Sequence, residues 1–134
     1  VVLETEQSVE KRQAHRYAEI AGYACTHSAG TEEYSEAQAM KAAIEKALER
    51  AGYQASDIEE VYAVISNQEK QKTDEQAVLT ELFGAKEIQD VRAASANDQL
   101  VEAATAIDAG TVKRALAVSY GCGSYTAVVL KACE

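Results

Sequence analysis

Two histidines, three cysteines and one glycine-rich tetrapeptide are the residues of this sequence whose types invite chemistry. An imidazole titrates near neutral pH and can act as a general base or a metal ligand. His15 and His27 both fall in polar stretches, and they read as surface histidines. A thiol becomes a nucleophile where a positive neighbour or a helix N-terminus lowers its pKa. Cys25, Cys122 and Cys133 are odd in number and widely spaced, so they form neither a disulfide framework nor a CxxC metal motif. They read as reduced thiols of a cytoplasmic protein, and no metal site is expected. Cys122 has no basic neighbour inside Gly121-Cys122-Gly123-Ser124 and reads as a small packed thiol. The flanking Gly121 and Gly123 allow two readings. Their backbone N–H groups could meet a ligand oxyanion, or they simply serve a tight hairpin.

These residues need elements to hold them. Residues 1–4 read as the end of a strand and residues 5–15 as a polar linker or short helix. Residues 17–25 are apolar and aromatic and read as a strand, with a loop over 26–34. Ser35-x-x-Gln38 is a capping box, and the apolar residues after it (Ala37, Met40, Ile44, Ala47, Leu48, Ala51) keep helical spacing up to Gly52. The continuous apolar run 61–65 predicts a strand buried on both faces. A polar loop is expected over 66–72. Thr73-x-x-Gln76 then reads as a second capping box, opening a helix with Ala77, Val78, Leu79, Leu82 and Phe83 inward. A strand is expected over 88–95 and a third, alanine-rich helix over 97–109. Two last strands, 115–120 and 125–132, are joined by the glycine turn as an antiparallel edge. The order β-α-β-α-β-α-β-β predicts an α/β domain: a mixed five-stranded sheet with helices packed on it, in one unit over residues 1–134.

Composition narrows the partners. The 134 residues suit a single domain. With 22 acidic and 13 basic residues the net charge is -9, which disfavours nucleic acid and anionic membranes, since phosphate binding needs clustered Lys and Arg. No apolar run approaches the roughly 20 residues that span a bilayer. The sequence starts at Val1 and its one Met is Met40, so an excerpt, a processed product or a piece of a longer protein is expected.

Several segments, in order, resemble the C-terminal half of ketosynthase-type condensing enzymes, which have the thiolase fold. Val1-Val2-Leu3-Glu4 is similar to the strand that closes the family's N-terminal half. Tyr17-Ala18-Glu19-Ile20-Ala21-Gly22-Tyr23 resembles its first C-terminal strand. Asp74-Glu75-Gln76-Ala77 lies where the family opens its second helix, and residues 119–127 resemble its SFGFGGTNA-like loop. The resemblance implies one thiolase-fold half, in an architecture where two such halves sit back to back.

It also implies where the catalytic groups would stand. Such enzymes use a Cys from the N-terminal half, two His and a Lys. The HGTGT-like motif falls on Ser66-Asn67-Gln68-Glu69-Lys70, which places Ser66 at the first His. The Lys falls on Ala94 and the second His on Gln99. Ser and Gln donate hydrogen bonds but hold no tunable proton, and losing one donor to a developing oxyanion costs about 2.7–4 kcal/mol. No catalytic residue is therefore intact, and condensation by this chain alone is not expected. Ser66, Asn67 and Gln99 either line a remnant pocket or act as loop and cap residues. Gly121, Cys122, Gly123, Ser124 and Asn67 are the ligand-contact candidates.

The roles that follow are expectations. The first is a non-catalytic partner, comparable to a chain-length factor, in fatty acid or polyketide biosynthesis. It would pair as a homo- or heterodimer with a ketosynthase subunit or a thiolase-fold N-terminal half through the alanine-rich third helix. The second is an active β-ketoacyl synthase once joined to its N-terminal half. The third is a module binding a phosphopantetheine-linked acyl group, delivered by an acyl carrier protein.

Overall fold

A computed structural model describes residues 1–28, 35–63, 65–84, 86, 88–90, 97–121 and 123–133. The chain runs α1 (Glu6–Arg12), β1 (Glu19–His27), α2 (Glu36–Ala51), a short 3-10 turn (Ala55–Asp57), β2 (Glu60–Ala63), α3 (Glu69–Phe83), β3 (Ile88–Asp90), α4 (Asp98–Asp108), β4 (Arg114–Gly121) and β5 (Ser124–Lys131). The predicted α/β order is present. The five strands form one mixed sheet in the order β1-β5-β4-β2-β3. β4, β2 and β3 pair in parallel, and β5 runs antiparallel between β1 and β4. The final hairpin is thus not the sheet's edge, as the sequence reading had it. β1 pairs with the free side of β5 and satisfies its backbone N–H and C=O groups there.

Local signals account for the helix ends. Ser35 and Gln38 form the expected reciprocal capping box, and α2 ends at Gly52. Thr73 does not open α3. The helix starts at Glu69, and the Thr73 hydroxyl lies inside it, donating to the Glu69 carbonyl at 2.8 Å. This is the back-bond a hydroxyl makes within a helix. Ala77, expected inward, is exposed, whereas Val78 and Leu79 are buried. Among the described residues, 1–4 pair with no strand, and Thr5 caps α1. β1 extends through Thr26 and His27, which the sequence reading placed in a loop.

The sheet has two unequal faces. On one, α2 buries Ala39, Met40, Ala43, Ile44, Ala47 and Leu48 against Ala24, Leu116, Val118, Ala127 and Val129, with Val78 and Leu79 of α3 completing the cluster. Full burial of a side chain the size of Met40, Ile44 or Leu48 is worth about 1.5–3 kcal/mol. On the other face α4 packs Ala103 and Ile107 against Tyr62, Ala115 and Leu130. Ala103 is therefore spent on this chain's own core, while Ala104 and Ala106 of the alanine-rich helix are half-buried. No helix among the described residues is long and apolar enough to cross a membrane.

One close approach fixes α2 on the sheet. The β1–β5 register shifts between Ile20 and Gly22, and the bulge brings Gly22 under α2. A Cβ there would sit 2.5 Å from the Ala47 carbonyl oxygen and 2.7 Å from the Ala51 nitrogen. Both are backbone atoms, so neither can swing aside. Gly22→Ala is expected to destabilise the protein by about 3 kcal/mol or more, whereas Gly121→Ala, where nothing lies within 4 Å, stays within about 0.5 kcal/mol. Urea unfolding of the two variants checks this. Equal midpoints would mean that α2 does not press on β1 as described.

Candidate functional site

Ser66 sits just beyond β2, and its polar atoms are engaged locally. Its N–H donates to Glu75 Oε1 at 2.9 Å, its hydroxyl donates to Gln71 Oε1 at 3.2 Å, and the same hydroxyl oxygen accepts from the Gln68 N–H at 3.1 Å. Gln71 Nε2 and Glu75 Oε2 both meet the Tyr125 hydroxyl, at 3.2 and 2.9 Å. Gln71, Glu75 and Tyr125 are buried. Burial pushes the Glu75 carboxyl above its ordinary range, and nearby Glu36 and Asp74 add to this. The Ser66 N–H and the Tyr125 hydroxyl act in the opposite sense. Burial also raises the Tyr125 phenol. Asn67 is exposed.

Gln99 lies on the other face. It is 2% exposed on the first turn of α4, and its Nε2 donates to the Val118 carbonyl at 3.4 Å. That bond orients the amide and leaves Oε1 buried with no donor among the described residues. Beside it is a cavity of about 240 Å³ lined by Asn97, Gln99, Ser119 and Thr126, with Leu100, Ala117, Val118 and Val128. Neither Ser66 nor Asn67 lines it. Of the three residues Ser66, Asn67 and Gln99, for which a shared remnant pocket or loop and cap roles both stood open, the described cavity holds Gln99 alone. Ser66 joins the α2–α3 side through Tyr125, and Gln99 joins the α4 side.

The glycine turn stands at the end of the same sheet. Gly123 has a φ of 82°, a conformation that favours glycine, and its carbonyl accepts from the Ser28 N–H at 2.9 Å. Ser124 Oγ is 3.0 Å from His27 Nδ1. His15 and His27 are both exposed, as expected, yet each is engaged: His15 Nε2 lies 2.7 Å from Asp108 Oδ1. Neither imidazole lines the cavity. Cys25 is exposed on the cavity's face of the sheet, and the Thr126 hydroxyl donates to its sulfur at 3.5 Å. Burial pushes the Cys133 thiol up. Ala94 and Cys122 lie outside the described residues.

Sequence reasoning missed Gln71 and Glu75. The usable signal was their spacing with Val78 and Leu79, at i, i+4, i+7 and i+8, which marks one helix face. Starting the helix at Thr73 hid it.

The unpaired Gln99 oxygen has a measurable consequence. Gln99→Met removes a buried acceptor that has no donor among the described residues, and with it the long bond to the Val118 carbonyl; the two effects oppose, and stability should change by no more than about 1 kcal/mol. Gln99→Glu puts an uncompensated charge there and should cost about 3 kcal/mol at neutral pH. Thermal unfolding of both variants checks this. A large loss in Gln99→Met would show that the Gln99 amide is held by more than its long bond to the Val118 carbonyl.

No family model and no curated protein matches the sequence. Solved structures do match its fold. A beta-ketoacyl synthase from Burkholderia phymatum superposes with a TM-score of 0.86 at 15% identity, over 98% of this chain and 41% of that one. The ishigamide ketosynthase/chain length factor gives 0.85 at 17% identity, over 98% and 42%. Human mitochondrial 3-ketoacyl-CoA thiolase gives 0.72 at 19% identity, over 96% and 34%. The chain spans less than half the length of each. It therefore has the fold of one half of the thiolase architecture shared by ketosynthases and thiolases.

Proposed function

We propose that the chain is a non-catalytic half of a ketosynthase-like assembly, of the chain-length-factor kind, which docks a second thiolase-fold half as a homo- or heterodimer. The observation that carries this reading is the uncovered part of the α4 face. α4 lies over β4 and β2, while Tyr23 (62% exposed), Cys25 and His27 on β1 stand open beside the cavity. An exposed apolar and aromatic sheet face is a docking surface. A chain that matches less than half of its structural neighbours supplies the reason for a second half.

The chemistry points the same way. Condensation needs donors aimed at a developing oxyanion, and removing one lowers kcat by about 10²–10³. Here the cavity offers amides and hydroxyls, which can donate hydrogen bonds but hold no proton that titrates near neutral pH. A solved neighbour is described as a type II acyl-carrier protein in complex with its ketosynthase, at 22% identity and a TM-score of 0.82 over 97% of this chain and 42% of that one. An acyl carrier protein is accordingly a proposed partner of the assembly, in polyketide-type biosynthesis.

The cavity favours one second reading, a module that holds a phosphopantetheine-linked acyl group without turning it over. Acyl-pantetheine analogues should then raise the melting temperature, and Thr126→Val should weaken that effect.

Sedimentation velocity and an acyl-transfer assay on the complete protein test the main reading together. A dimer or a stable complex without acyl transfer from a carrier-protein thioester is expected. A well-behaved monomer at micromolar concentration, or turnover that is abolished by Gln99→Ala, would overturn it.

A further inference from the structure

Glu75 carries a carboxyl group where ionisation is costly. The residue is 2% exposed, and its two oxygens meet the Ser66 N–H and the Tyr125 hydroxyl, each at 2.9 Å. Tyr125 in turn accepts from Gln71 Nε2, and Gln71 Oε1 accepts from the Ser66 hydroxyl. The four residues close a ring that ties the turn at 65–68 to β5 in the middle of the sheet. Ser66 is the only member on that turn.

The ring contains no cation. The charged and titratable groups facing it are Asp74 on α3, Glu36 on α2, Tyr125 on β5 and Tyr120 on β4. Tyr120 donates to Glu36 at 2.9 Å, and its ring centroid is 4.8 Å from that of Tyr125. The lysines nearby are directed elsewhere: Lys41 pairs with Glu81 at 2.6 Å, and Lys70 and Lys72 are exposed. Burial and the acidic neighbours Glu36 and Asp74 favour the protonated form of Glu75, and the two donors, the Ser66 N–H and the Tyr125 hydroxyl, offset this only in part.

We propose that Glu75 is a pH-sensitive latch on the turn at 65–68 and the first turn of α3, closed when Glu75 is protonated and loosened when it ionises. Protonated, Glu75 keeps the Ser66 bond through Oε1 and its contact with the Tyr125 oxygen through Oε2. Ionised, it keeps the same two donors, but they only partly offset the burial of its charge, and water completes the solvation when the turn lifts. Its pKa in the closed form lies above the ordinary value of 4.5 that it regains on opening. Closure is therefore fully favoured below that ordinary value and weakens as pH rises through the raised one.

Hydrogen exchange on the complete protein, read residue by residue from about pH 4.5 to about pH 8 and corrected for intrinsic rates, tests the latch. The Ser66 amide should lose protection at least about fivefold across that range, while Ala127 in the sheet centre does not change. Glu75→Gln should keep the Ser66 protection and flatten its pH dependence. A flat wild-type profile, or the same slope in Glu75→Gln, would overturn the proposal. If Glu75→Gln fails to fold, the wild-type Glu75 carboxyl carbon and Ser66 amide proton shifts decide. A shared midpoint above the ordinary carboxylate range supports the latch, and an ordinary midpoint, or none at Ser66, removes it.

Discussion

β5 is the constraint on which the rest of the structure depends. It runs antiparallel between β1 and β4, so its backbone groups are paired on both sides. Its side chains alternate between the faces. Tyr125, Ala127 and Val129 enter the core under α2, while Thr126 and Val128 face the cavity beside α4. A one-residue slip would exchange these two sets and put Thr126 into the main core. The Gly121–Ser124 pair holds the register from one end, and the bulge at Gly22 fixes how β1 pairs with β5 from the other.

The division of labour between the faces follows. One face is filled by two helices and makes a complete core. Among the described residues the other has one helix, α4, which covers the β4 and β2 part and leaves β1 open. The polar residues divide along the same line. Ser66, Gln71 and Glu75 converge on Tyr125 and serve the fold, while Gln99, Ser119 and Thr126 border the cavity. Ser66 ties the segment before α3 to Gln71 and Gln68, whereas the Gln99 amide stands at the cavity wall.

Much of this was legible in the sequence. The capping box at Ser35, the helix over α2, the apolar run at β2 and the final hairpin all rest on local signals, and they stand where expected. The misreadings share a cause. The start of α3 was put at Thr73 because Thr-x-x-Gln looks like a cap. The true start at Glu69 has no side-chain cap at Gln68, and so it carries no local mark. The hairpin was read as an edge because strand order depends on long-range pairing, and nothing in residues 124–131 names β1 as a neighbour. Gly22 looked like one more small residue in an apolar strand. Its role appears only when α2 is laid across it. The Glu75 ring needs both the corrected helix start and the fold before its members meet.

The central claim is that the open half of the α4 face receives a second thiolase-fold half. Cys25 reports on it directly, since it is exposed on that face in the isolated chain. Labelling with a bulky maleimide, read at Cys25 by mass spectrometry, should be complete for the chain alone and strongly suppressed once a ketosynthase-type half is bound. Equal labelling of Cys25 in a complex whose formation is independently established would contradict the account.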